Sequence, residues 1–344
     1  MPIECEIRDG RLVWVRNPVT GAVSYVVDVR GKSFAYTLGN RAEPAAGGTP
    51  LSPEIVRRVC SECPFCPGNE DRAPRELMRM TPQEVFGPLA LPPELAAAPW
   101  LIRIFNNLFP RIPEELTGNR NESYIVIEDP RHFVAEPRAL DDVVYSALLD
   151  PAQFLGVLQA GARMMARILE NPTVRSVVIR KNQGPESGAS QPHTHQQIIG
   201  CPMRLPALDA EIRADRETGG LFAGAIELVQ RVGLLLEHKG PVVTYQSPIG
   251  TFPRSYDIVM PEHRATLDEL SSDELRAFAR ALHRLLHVLG AIPLDYEIHQ
   301  DRMLPLHAHV NVRHYPYSNV AGTLNLPSTL FGNAGLLRRA LEEL

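Results

Sequence analysis

Two long stretches of the chain repeat apolar residues at three- and four-residue intervals. They are DPAQFLGVLQAGARMMARILE, residues 150 to 170, and SDELRAFARALHRLLHVL, residues 272 to 289. Each opens on an acidic or hydroxyl side chain suited to capping a first turn, so both are predicted helices. Shorter runs rich in β-branched and aromatic residues predict strands at 24–29, 101–105, 123–129, 174–181, 197–203, 241–246, 255–260 and 307–315. Prolines, 31 in all, break the chain into short elements, and GNRAEPAAGGTPLSPE (39–54) reads as a loop.

The elements fall in one order twice. SYIVIEDPRH is followed by a helix, a strand and HTH; SYDIVMPEHR is followed by a helix, a strand-like stretch and HAH. Two matches in the same order predict a duplicated supersecondary unit. The expected class is α+β, with halves 1–205 and 206–344 meeting at RLPALDAE. Each half carries a mostly antiparallel sheet and one long helix.

Composition narrows the function. A chain of 344 residues that is 44% hydrophobic can bury a sizeable core. No apolar run approaches the roughly 20 residues that span a bilayer, and the acidic start MPIECEIRDGRLVWV does not resemble a secretory signal. A cytoplasmic protein without a membrane partner is expected. The net charge of −5, with no basic block, gives no footprint for duplex nucleic acid, so any nucleotide bound is small. Five cysteines, three of them within seven positions, suit metal or catalytic use better than a disulfide framework.

In CSECPFCPGNE (60–70), Cys63 and Cys66 form a C-x-x-C pair followed by a Pro-Gly turn that lets two thiolates converge on one ion. His132 and His193 are candidate further ligands, and Cys60 competes with the pair. A redox pair or small buried residues are the alternatives. NQGPESGASQPHTHQQIIG (182–200) holds His193 and His195 two apart, so an extended backbone points both rings to one side, with Gln197 next on that face. Gly184, Gly188 and Ser190 just upstream offer close backbone approach and a hydroxyl, which suits a phosphate.

Taken in order, RNPVTGAVSYVVDVRGK, CPFCPGN, FNNLFP, EDPRH, NQGPESGASQPHTHQQ and LPLHAHVNVRHYP resemble the galactose-1-phosphate uridylyltransferase family, the transferase branch of the histidine-triad superfamily. The resemblance implies a duplicated histidine-triad-like fold and a homodimeric, ping-pong nucleotidyltransferase. His195 matches the nucleophile that takes UMP from a UDP-sugar as a covalent phosphoramidate before a sugar 1-phosphate accepts it. Gln197 matches the glutamine that donates to the phosphoryl oxygens. Asn182, Ser190 and Arg30 match phosphate-contacting positions, and Asn107 the uracil loop. Cys63, Cys66, His132 and His193 match a structural zinc site. Glu211, His299, His307 and His309 match a second metal, iron or zinc.

Some positions depart from the family. Thr194 replaces a proline, Gln196 a small residue, and Leu324 or Asn325 a sugar-gripping glutamate, while Lys32 and Ser33 interrupt a second arginine. These changes bear on the sugar, galactose above all, more than on the reaction. Three functions stay open: a UDP-sugar:hexose-1-phosphate uridylyltransferase, an ADP-sugar or dinucleoside polyphosphate phosphorylase using the same histidine and inorganic phosphate, and a non-catalytic zinc-stabilised nucleotide-binding protein.

Overall fold

The computed structural model describes residues 3–27, 49–313, 319–320 and 322–344. The chain divides into two compact units. Residues Asn40–Met203 form one, and Arg204–Leu344 together with the N-terminal strands form the other. Those N-terminal strands are β1 (Cys5–Arg8), β2 (Arg11–Arg16) and β3 (Val23–Val27).

The first unit contains α1 (Pro53–Glu62), β4 (Glu76–Met80), α2 (Pro82–Phe86), β5 (Ile102–Asn106), β6 (Ser123–Ile127), α3 (Pro151–Leu169), β7 (Ser176–Gln183) and β8 (His195–Cys201). Its sheet runs β4-β5-β6-β8-β7, antiparallel throughout. Helix α3 starts where the capping signal placed it. Asp150 accepts from the amide of Ala152, and Pro151 occupies the first turn, where its missing N–H costs nothing. Its apolar stripe, including Phe154, Val157, Leu158, Met164 and Met165, is buried. Burying each such side chain stabilises by about 1.5–3 kcal/mol.

The helix packs on β7 and β8, and small residues set how close it comes. A Cβ at Gly161 would stand 3.2 Å from Cδ1 of Ile179, and one at Gly200 only 2.7 Å from Cγ2 of Ile168. Ile179 and Ile198 are cross-strand partners, so α3 covers the even-numbered face of β8. His195 and Gln197 project from the other face.

The second unit adds α4 (Pro206–Thr218), α5 (Leu221–Val232), β9 (Leu235–Lys239), β10 (Val242–Gln246), β11 (Ser255–Met260), α6 (Ser272–Leu289), β12 (Leu294–His299), β13 (Leu306–Val312), β14 (Asn319–Val320), β15 (Thr323–Pro327) and α7 (Leu330–Glu342). Its main sheet runs β9-β10-β11-β13-β12, again antiparallel. Helix α6 begins with a Ser271–Glu274 capping box and packs on β10 and β11. Numbered within each unit, the two sheets have one strand order, with a long helix after the third strand in each. The α+β duplication expected from the repeated segments is therefore the architecture. A smaller sheet, β1-β2-β3-β15-β14, joins the N-terminal strands to β15 through a parallel β3–β15 pair.

Candidate active site

Helix α1 ends at Cys63, whose amide still bonds Val59 O. The chain then turns through Cys66. The side-chain amide of Asn69 pins this knuckle by donating to the carbonyls of Cys60 and Cys63 at 2.7 and 2.8 Å. Cys63, Cys66, His132 and His193 are all buried, and their donor atoms lie within 4.8 Å of one another. The Sγ–Nδ1 separations are 3.7 Å for Cys63–His193, 3.5 Å for Cys66–His132 and 3.6 Å for Cys66–His193. A tetrahedral zinc ion, with bonds of about 2.3 Å to sulfur and 2.0 Å to nitrogen, separates such atoms by about 3.6 Å. The residues therefore fit zinc.

The tautomer also fits. His193 donates its Nε2 proton to Asp129 O at 2.8 Å, leaving Nδ1 as the ligating nitrogen. The hydrogen bond with Cys66, and then the two imidazoles, hold the Cys63 thiol far below its ordinary value against the opposing effect of burial. Cys60 is outside this group of four and packs against it from α1.

On the open face of the sheet lies a cleft of about 530 Å³, lined by Asn107, Arg180, Asn182, Gly188, Ser190, His195 and Gln197 among others. Every substrate position expected from the sequence is there except Arg30, which lies outside the described residues together with Lys32 and Ser33. His195 donates its Nδ1 proton to the carbonyl of His193 at 2.8 Å, so Nε2 carries the lone pair. Burial pushes its pKa down to about 4, which keeps the ring neutral and nucleophilic at pH 7. The Phe65 ring meets the imidazoles of His195 and His193 edge-on, with centroids 5.3 and 6.1 Å away. It thereby connects the cysteine knuckle to His195. Asn107 accepts from Phe109 N at 3.0 Å through Oδ1, which orders its loop. Gly184 and Gly188 have φ of 80° and 86°, a conformation that side chains with a Cβ disfavour.

The residues that depart from the family have structural work. Thr194 Oγ donates to Glu128 Oε2 at 2.6 Å, and Lys181 Nζ donates to Glu128, to Thr194 and to His195 O at 2.7, 2.9 and 3.1 Å. All three side chains are buried. Burial pushes the Glu128 carboxyl up, but the Lys181 charge and the hydrogen bonds of Lys181, Thr194 and Ser146 outweigh it and hold the pKa below its ordinary value. Gln196 faces α3. Leu324 is buried on β15 and lines a separate cavity of the second unit. Sequence reasoning missed Glu128, Lys181 and Arg180, because an isolated charge in a strand-like run carries no signal of its partner.

In the second unit, Glu211 on α4 meets three imidazoles. Its oxygens lie 3.0 Å from His299 Nδ1, 3.3 Å from His307 Nε2 and 3.1 Å from His309 Nε2. The far nitrogen of each ring faces an acceptor: Glu297 at 3.5 Å, Pro305 O at 2.7 Å and Asp257 at 2.7 Å. Each ring thus presents one nitrogen to Glu211 and the other to an outer acceptor, and this gathering of one carboxylate and three imidazoles fits iron or zinc. His299 belongs to the group despite the short interval to His307.

No family model matches the chain. An ADP-glucose phosphorylase of Arabidopsis thaliana is 23% identical over 270 residues, covering 72% of this chain and 70% of that protein. Among solved structures, an ADP-glucose phosphorylase from Arabidopsis thaliana with bound ADP-glucose has a TM-score of 0.65 at 18% identity, covering 98% of both chains. A uridylyltransferase has a TM-score of 0.61 at 21% identity, covering 95% of this chain and 98% of the other. The fold is thus one shared with solved enzymes of the nucleotidyltransferase type. The resemblance to the galactose-1-phosphate uridylyltransferase family seen in the sequence holds in the fold as well. No helix of the described residues is long and apolar enough to cross a membrane.

Proposed function

We propose that the protein transfers a nucleoside monophosphate from a nucleotide sugar to the phosphate of an acceptor through a covalent adduct on His195. The observation that carries this reading is the His195 imidazole itself: buried, fixed through Nδ1 by its bond to His193 O so that Nε2 carries the lone pair, and lining the cleft. In the first half-reaction Nε2 attacks the α-phosphorus, and the sugar 1-phosphate departs with the electron pair of the broken P–O bond. In the second, an acceptor phosphate oxygen attacks the same phosphorus, and the P–N electron pair returns to the ring. Gln197, next on the same face, donates its amide hydrogens to the phosphoryl oxygens. Asn107, Gly188 and Ser190 line the nucleotide's path. Zinc on Cys63, Cys66, His132 and His193 is structural, with four protein ligands. Iron or zinc on Glu211, His299, His307 and His309 serves the second unit.

The first reading of the donor is a UDP-sugar, with a hexose 1-phosphate as acceptor. The second, favoured by the likeness to an ADP-glucose phosphorylase, is an ADP-sugar with inorganic phosphate. One experiment tests both: the protein is mixed with UDP-glucose or ADP-glucose, quenched in base, and weighed intact. A uridylyl adduct supports the first reading and an adenylyl adduct alone the second, each lost in His195→Ala. No adduct from either sinks the proposal.

A further inference from the structure

The cleft is lined by three guanidinium groups, those of Arg72, Arg111 and Arg180, and among the described residues by no Asp or Glu. In a chain of net charge −5 that local excess of positive charge marks a site for a polyanion. Arg180 is the one of the three carried on the same sheet as the nucleophile. It pairs directly with Gln197 across β7 and β8, and cross-strand partners hold their Cβ atoms about 5 Å apart on one face.

Asn182, two residues along β7, is bonded to the protein at both ends of its amide. Its Oδ1 accepts from Arg180 Nη2 at 2.9 Å, and its Nδ2 donates to the carbonyl of Ser187 in the glycine-rich loop. The amide therefore has one end on the guanidinium and the other on the loop that carries Gly188 and Ser190. A guanidinium has five N–H donors, and its fork matches phosphate oxygens two at a time.

We infer that Arg180 grips the phosphate chain of the nucleotide in this cleft, and that Asn182 acts as the bracket that aims it. The assignment rests on reading the cleft as the nucleotide site. It makes the site selective for phosphate-bearing ligands over nucleosides. Arg180 completes, with Gln197, a pair of donors on adjacent strands beside the attacking nitrogen. Asn182 is then a positioning residue, and its loss acts through the arginine and the loop.

The test is equilibrium binding, which needs no turnover. Wild type, Arg180→Gln, Arg180→Lys and Asn182→Ala are titrated calorimetrically with UDP, ADP, uridine and adenosine, with zinc content and thermal midpoint measured alongside. Loss of a charge-assisted phosphate contact predicts that Arg180→Gln weakens the preferred nucleoside diphosphate roughly 10- to 100-fold. The nucleoside is left within twofold, Arg180→Lys falls between, and Asn182→Ala loses less than Arg180→Gln. Diphosphate binding within twofold of wild type in Arg180→Gln overturns the inference, as does an equal loss of diphosphate and nucleoside. A wild type that binds a diphosphate yet forms no His195 adduct sinks the transfer reaction and leaves Arg180 in place. A wild type that binds neither diphosphate overturns the assignment.

Discussion

Gln197 on β8 is flanked across the sheet by Ile125 and Arg180, and His309 on β13 by Asp257 and Glu297. One step along, His195 pairs with Ile127 and His307 with Val259. The structural counterpart of His195 is therefore His307, and both rings donate Nδ1–H to the carbonyl two residues back. The two H-x-H pairs that revealed the repeat are offset by two positions. In the proposed reading the first contributes a metal ligand and a nucleophile, the second the counterparts of His195 and Gln197.

Around that shared frame the charge is reversed. Arg180 and Asn182 in one unit correspond to Glu297 and His299 in the other. One frame thus lines a cleft for anions, and the other gathers lone pairs for a cation. Beneath the site, the polar Glu128, Lys181 and Thr194 correspond to Met260, Ile298 and Leu306, all fully buried. The same strand sites tolerate an ion-pair network or an apolar core.

The sharpest break of the comparison is at the paired histidines. His195→Ala should abolish the covalent adduct and reduce turnover by roughly 10⁴-fold or more. His307→Ala should still form the adduct while losing metal from the second unit, read by intact mass and elemental analysis. An adduct that survives in His195→Ala would refute the assignment.

Next in size is the buried pair. Lys181→Met strands the Glu128 charge and should cost about 3–5 kcal/mol in denaturant unfolding. The triple variant Glu128→Met, Lys181→Ile, Thr194→Leu, which installs the other unit's residues, should recover most of that loss. A triple variant less stable than the single one would show that the two frames are not interchangeable.

Glu211→Gln comes third. It should strip the second unit of metal and leave one zinc equivalent per chain, as should mild chelation; loss of both ions together would contradict two independent sites. The smallest effect is that of pH. Because burial depresses His195 to about 4, adduct formation in rapid mixing should be level from pH 8 to near 5. It should then fall about tenfold per unit below 4. An unfolded histidine titrates near 6.5, so protonation in that window favours the unfolded chain. The stability contribution of His195 is full above about 6.5 and is lost as pH falls toward about 4. A rate that halves near pH 6.5 would argue against a desolvated ring.

Much of this was legible in the chain. Both long helices begin within a residue of their capping signals, and the strands bearing Asp257 and His307 lie where they were expected, while the strand expected at 197–203 begins two residues earlier, at His195. Other elements were hidden by local composition. Helix α4, which carries Glu211, starts at Pro206 and reads as a connector because its mean hydropathy is low and proline opens it. Strand β4, ELMRM, is short and charged. The register between strands is not encoded in any one segment, so neither the two-residue offset nor the Arg180–Gln197 pairing was visible until the sheet was assembled. Asn182 does line the cleft, as expected, but a lone amide in a glycine-rich lead does not reveal that it also bridges Arg180 and the Ser187 carbonyl.

Phe65 has a consequence for how the chain depends on its environment. Its ring touches the nucleophile and is anchored by the cysteine knuckle. Metal held by Cys63, Cys66, His132 and His193 would therefore also set how firmly the His195 imidazole is held. Starvation for zinc would reach the chemistry through loosened carbon packing, and inactivation would follow the pace of local melting.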